Sequence, residues 1–146
     1  DEKLEKNLQA SKAAFDEGIA QSAELRELIG KLDDEKMDKD MAALYEQAQD
    51  MFDADKKLFQ RFTTKDEQNI LKNCQRALKK NQSAAGKVDK LIAKLPADVS
   101  AEFTAKDEKA INAAWKAYSK LTSEQKTFLE DEQHLLDCYN KAYPEG

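Results

Sequence analysis

The chain has 146 residues, of which 40% are hydrophobic and 36% charged, with a formal net charge of -5 at pH 7. Only four Gly and two Pro are present, too few breakers for the turns of an all-β fold, and the abundance of Ala, Lys, Glu, Gln and Leu favours helix. The acidic balance argues against a nucleic-acid surface, which needs a basic stripe, and no apolar run approaches the roughly 18 residues that span a bilayer.

Residues 1 to 32 place Leu4, Leu8, Phe15, Ile19, Ala23, Ile29 and Leu32 at helical spacing, which predicts one long amphipathic helix with these side chains on its inner face. Gly18 is tolerated inside it, and Gly30 with Asp33 and Asp34 marks a stop and a new start. A second helix follows, with Met37, Met41, Leu44, Tyr45, Ala48, Met51 and Phe52 facing inward. Asp53 is placed to cap a short third piece that buries Leu58, Phe59 and Phe62. Thr64 stands three residues before Glu67, the spacing of a capping box, and opens a helix running to Leu95, where Pro96 closes it. Its apolar stripe holds Ile70, Leu71, Cys74, Ala77 and Leu78, weakens from Lys79 to Ser83, and resumes at Ala85, Val88, Leu91, Ile92 and Leu95. With no Pro in the polar gap, the stretch reads as helix throughout. After the irregular segment PADVSAEF, Thr104 with Asp107 opens a helix bearing Ile111, Ala114, Trp115, Tyr118 and Leu121. Thr122 with Gln125 opens a short piece, and a last helix from about Asp131 carries Leu135, Leu136, Tyr139 and Tyr143, ending at Pro144.

Comparing the chain with itself shows a repeat. LRELIGKL at 25–32 matches VDKLIAKL at 88–95, and DEQNILKNCQRAL at 66–78 matches DEQHLLDCYNKAY at 131–143. Between them, Met41, Tyr45, Ala48 and Met51 lie on Ile111, Trp115, Tyr118 and Leu121. A fainter match of KNLQA at 6–10 to KNCQRA at 72–77 suggests that the first helix begins as the tail of an upstream copy. The expected fold is therefore all-α: two tandem three-helix bundles, 1–82 and 83–146, sharing one continuous helix over about 64–95 in an elongated rod. Such a helix would run on the order of 45–50 Å and would couple two cores that are each marginal alone.

Residues 88–143 also resemble the FIVAR modules and related three-helix repeats of Gram-positive cell-surface and secreted proteins. The resemblance is carried by Leu95-Pro96, by Tyr118, Leu121, Thr122, Glu124, Gln125 and Lys126, and by the leucine pair Leu135-Leu136. It implies a helical module within a long extracellular polypeptide, acting as a spacer or a protein-binding unit, with no catalytic residues to carry over.

The residue types that carry chemistry are sparse. His134 is the only histidine and lies in a charged helix start, where a solvated surface role is expected. Two distant cysteines and one histidine do not make a zinc site. The acidic groups Asp33-Asp34-Glu35, Asp38 with Asp40, and Glu130-Asp131-Glu132 lack the ligand alternation and Gly of a calcium loop and suit helix N-termini. Cys74 and Cys138 hold near-equivalent places in successive copies, a repeat length apart, beyond the ~7 Å Cα separation that a disulfide bridges; free, partly buried thiols are expected. Trp115 and Tyr118, like Phe59, Phe62 and Tyr45, read as packing. No catalytic, cofactor-binding or metal residue is assigned, and no cofactor. Because the chain begins at Asp1, it is expected to be a processed product or an excerpt. The leading expectation is a non-enzymatic, monomeric spacer segment of a secreted or surface-anchored bacterial protein, whose partners are the neighbouring domains of its own polypeptide; the alternative is a protein-binding module that offers a helix face to a protein ligand.

Overall fold

A chain so poor in breakers folds as its periodicity requires. The structure, a computed structural model that describes residues 2–144, is all-α. Among the described residues its helices are α1 (Glu2–Gly30), α2 (Lys39–Ala54), α3 (Lys56–Phe62), α4 (Lys65–Ile92), α5 (Ala105–Ser119), α6 (Ser123–Lys126) and α7 (Glu132–Ala142), with a 3-10 turn at Asp34–Lys36. All three expected capping boxes form. Thr64 N–H donates to Glu67 Oε1 at 2.9 Å and Glu67 N–H to Thr64 Oγ1 at 3.0 Å, and Thr104–Asp107 and Thr122–Gln125 make the same reciprocal pairs. Each satisfies helix-end donors that have no partner within the helix. The short helix α3 is capped by Asp55, whose carboxylate accepts from Leu58 N–H, and not by Asp53, which lies within α2.

The chain divides into two compact units. The first runs to Glu35 and from Asp40 to Ala77; the second comprises Lys36–Lys39 and the chain from Leu78 onward. The division falls inside α4, and Lys36–Lys39, where the connector from α1 enters α2, belongs with the second unit although α1 and the rest of α2 belong to the first.

In the first unit, Leu25 and Ile29 of α1, Ala42, Tyr45, Ala48 and Phe52 of α2, Phe59 of α3, and Leu71 and Cys74 of α4 are buried. Arg26 Nε bonds both carboxylate oxygens of Glu67 at 2.9–3.0 Å, tying α1 to the start of α4. Burial pushes the Glu67 carboxyl up, but the hydrogen bonds from Thr64 and Arg26 outweigh it and leave the group below its ordinary value. The expected inner face of α1 is corrected over its front half: Leu4, Leu8, Phe15 and Ile19 are 59%, 63%, 47% and 47% exposed, while the buried line is Gly18, Ser22, Leu25 and Ile29. Periodicity places apolar groups on one face; it does not supply a neighbour to cover them. Gly18 is buried because Phe62 lies over it, and a Cβ at that position would sit 2.5 Å from Phe62 Cε2.

In the second unit, Val88 and Ile92 of α4, Leu95, Ile111, Ala114 and Tyr118 of α5, and Leu135 and Cys138 of α7 form the core, with Leu91, Val99, Phe103, Trp115, Leu121, Leu129 and Tyr139 packed around it. The half-helix repeat has a clear register by burial. Ser22, Leu25 and Ile29 correspond to Ala85, Val88 and Ile92, all buried. Leu71 and Cys74 correspond to Leu135 and Cys138, one position away from the register that lays DEQ on DEQ, because α7 begins closer to its first core residue.

The glycines give a direct test. A Cβ at Gly86 would meet nothing within 4 Å. Gly86→Ala is therefore expected to raise the free energy of unfolding by about 0.5–1 kcal/mol through helix propensity. Gly18→Ala should fall well short of that gain because the Phe62 ring must move. Equal gains at both positions in urea titrations would refute the Gly18–Phe62 packing.

Candidate functional site

The polar gap in α4 is where the sequence pattern looked weakest, and the structure places a polar node there. Leu71, Cys74, Leu78, Ala85, Val88 and Ile92 of α4, with Leu95 just beyond its end, are buried at steps of three, four or their sum, seven, the spacing of a coiled-coil seam. Asn81 stands on this seam between Leu78 and Ala85. The stripe therefore does not break; one of its positions is an amide. Within the second unit, Asn81 Nδ2 donates to the Met37 carbonyl at 2.8 Å, and Asn81 Oδ1 accepts from Gln125 Nε2 at 3.2 Å. Gln125 uses its own amide oxygen, Oε1, to accept from Thr122 N–H at 3.0 Å. Two residues on, Thr127 Oγ1 accepts from Lys39 N–H at 2.9 Å and donates to the Glu124 carbonyl at 2.6 Å. The connector Met37–Lys39 is thus held at both ends, and Met37 is 0% exposed.

Beside the node lies an open groove of about 600 Å³ lined by Lys39, Gln82, Gly86, Asp89, Phe128, Leu129 and Glu130. Of its two acidic side chains, the Asp89 carboxylate accepts from Glu130 N–H. Among the described residues no buried side-chain nitrogen or oxygen lacks a hydrogen-bond partner.

His134 is half-buried and not fully solvated, and its Nε2 lies 3.8 Å from Cys138 Sγ, one helical turn away. A Cys–His pair invites a nucleophilic reading. The environment opposes it: Cys138 is 0% exposed, its thiol reaches the Pro96 carbonyl at 3.9 Å, and burial, followed by the charge of Asp137, pushes its pKa up. Reactive thiols are shifted the other way and reach solvent. Cys74 is also free and buried, its pKa pushed to about 11 by burial and by Asp34 and Asp33.

The Trp115 and Tyr118 rings lie 5.3 Å apart, tilted by 35°. The Trp115 ring stacks on Tyr139 at 3.9 Å, and Tyr139 meets Tyr143 at 5.1 Å, so α5 and α7 share a half-buried aromatic row. Tyr118 OH donates to Glu132 Oε1 at 2.6 Å, and the Lys126 ammonium lies 4.5 Å from its ring centre. Burial and that bond push the Tyr118 phenol up to about 12. Of the acidic groups, Asp33 Oδ1 accepts from Glu35 N–H to start the 3-10 turn. Among the described residues no group of three or more His, Cys, Asp or Glu is arranged to hold a metal, and no helix is long and apolar enough to cross a membrane. Sequence reasoning missed Asn81; the signal was present in its place on the three-and-four register. No family model, curated protein or solved structure matches this chain.

Two measurements follow. Asn81→Ala leaves the Met37 carbonyl and the Gln125 amide without their partner and is expected to cost about 1–3 kcal/mol; no loss in an equilibrium unfolding titration would remove the node from the account. The thiols should label with a maleimide at pH 8 only at the rate at which the protein opens, and fully in denaturant. Rapid labelling of native Cys138 would instead mean that His134 activates it.

Proposed function

We propose that the chain is a non-catalytic helical repeat segment of a larger multidomain polypeptide, spacing and orienting its neighbours. The observation that carries this reading is α4, one uninterrupted helix whose Leu71 and Cys74 serve the first unit's core while Val88 and Ile92 serve the second's. A helix built this way transmits position along the chain. The resemblance of residues 88–143 to FIVAR-type modules supports a secreted or surface-anchored bacterial setting. In this reading the chain is an elongated monomer, and sedimentation velocity should return a single species of monomer mass with a frictional ratio above that of a compact protein of this size. A concentration-dependent dimer or a compact monomer would overturn it.

A second reading has its own observation. Leu4, Leu8, Phe15 and Ile19 form a line of exposed apolar side chains on α1, and a pure spacer would not present such a line to water. A protein-binding role uses that face.

A further inference from the structure

The two long helices of this chain are copies whose burial differs in only one half. α1 spans Glu2–Gly30 and α4 spans Lys65–Ile92. In the register that lays Leu25 and Ile29 on Val88 and Ile92, their first residues also coincide, Glu2 on Lys65. Their back halves are buried at the same positions. Extended without a gap to the front halves, the same register lays Leu8, Ser11 and Phe15 on Leu71, Cys74 and Leu78. Leu71, Cys74 and Leu78 are 4%, 0% and 8% exposed; Leu8 is 63% and Phe15 47%. Leu4, Leu8, Ser11, Phe15 and Gly18 keep the alternating four-and-three steps of the seam. The front half of α1 therefore carries the pattern of a helix that closes a bundle, without the bundle.

A second observation points to the same occupant. Gly18 and Phe62 hold the places of Asn81 and Gln125 in this register. In the second unit that place is completed by Met37, whose carbonyl is held by Asn81, on a connector that precedes the unit's own helices in the chain. In the first unit the corresponding place is an open groove of about 490 Å³ lined by Ser11, Ala14, Phe15, Lys57, Leu58, Arg61 and Phe62.

We infer that the front half of α1, through Leu4, Leu8, Ser11 and Phe15, docks into a preceding bundle of this same repeat, whose connector equivalent to Met37–Lys39 fills the groove between α1 and α3. The inference rests on the repeat reading above and names its partner. That partner is a covalently preceding framework equivalent to the back of α1 with α2 and α3. A second copy of the chain does not offer one, because its first framework is filled by Leu71 and Cys74 of α4 and its second by Leu135 and Cys138 of α7.

The test uses the whole chain with residues 1–64 added ahead of Glu2, so that Thr64 of the added segment leads into α1 as it leads into α4. Hydrogen exchange is followed in the natural chain and in the fusion. Amides of residues 5–15 of the full-length part should exchange at least about tenfold more slowly in the fusion than in the natural chain. Leu8→Asp in that part should abolish the gain, yet leave the melting temperature of the natural chain unchanged. Ser11→Cys, which restores the residue found at Cys74, should stabilise the fusion alone. Equal exchange in the two proteins overturns the inference. So does a dimer of the natural chain that Leu8→Asp dissolves, since the face would then belong to a second copy. Should the exchange gain be missing while sedimentation still gives an elongated monomer, the docking inference falls and the spacer reading stands.

Discussion

One hydrogen-bonded helix has to satisfy two cores, and the rest of the structure follows from that constraint. A helix interior tolerates no loop, so α4 cannot adjust its rotation between Leu78 and Ala85. The side chains on either side of that interval must already lie on one seam, which the three-and-four spacing from Leu71 to Leu95 provides. The back half of α1 with α2 and α3 completes the first core, and α5 with α7 completes the second, the short capped helices α3 and α6 following α2 and α5 in the same order.

The same constraint explains where polarity is allowed. A fully apolar seam would bury more surface, but apolar contacts are tolerant of register. The Asn81 amide makes one bond as donor and one as acceptor, to partners in different elements. In the first unit the equivalent position is Gly18, and the contact is made by the Phe62 ring lying on bare backbone, with Phe15 at 5.3 Å beside it. Two solutions to one geometric problem thus stand in the same chain, one polar and one aromatic.

Local rules were legible in the sequence. The boxes at Thr64, Thr104 and Thr122 are decided by residues three apart, and the absence of a breaker between Lys79 and Ser83 is enough to keep α4 whole. The α3 cap was misplaced by two residues because Asp53 and Asp55 have the same chemistry, and only the backbone path selects between them. What sequence could not supply was the neighbour. Leu4 and Leu25 share a helix and a periodicity, and only the packed fold separates the exposed from the buried one. The role of Asn81 was hidden for a related reason, since its two partners lie 44 residues away on either side. The contact of His134 with Cys138 is an i,i+4 pair and could have been read from spacing; that the thiol is sealed from solvent could not.

The Asn81 amide has a further consequence. Its two ends differ, a carbonyl on one side and an NH2 on the other, and each faces a group of the opposite sense. Sliding the helix by one turn of about 5.4 Å in either direction would carry Leu78 or Ala85 to the Met37 carbonyl and move the amide into apolar surroundings. Neither displaced arrangement satisfies both groups, and in a low-dielectric interior an unpaired polar group is costly. The amide is thus a polarity key that fits at a single setting, and it fixes the position of α4 against the Met37–Lys39 connector and α6 in discrete steps and not continuously.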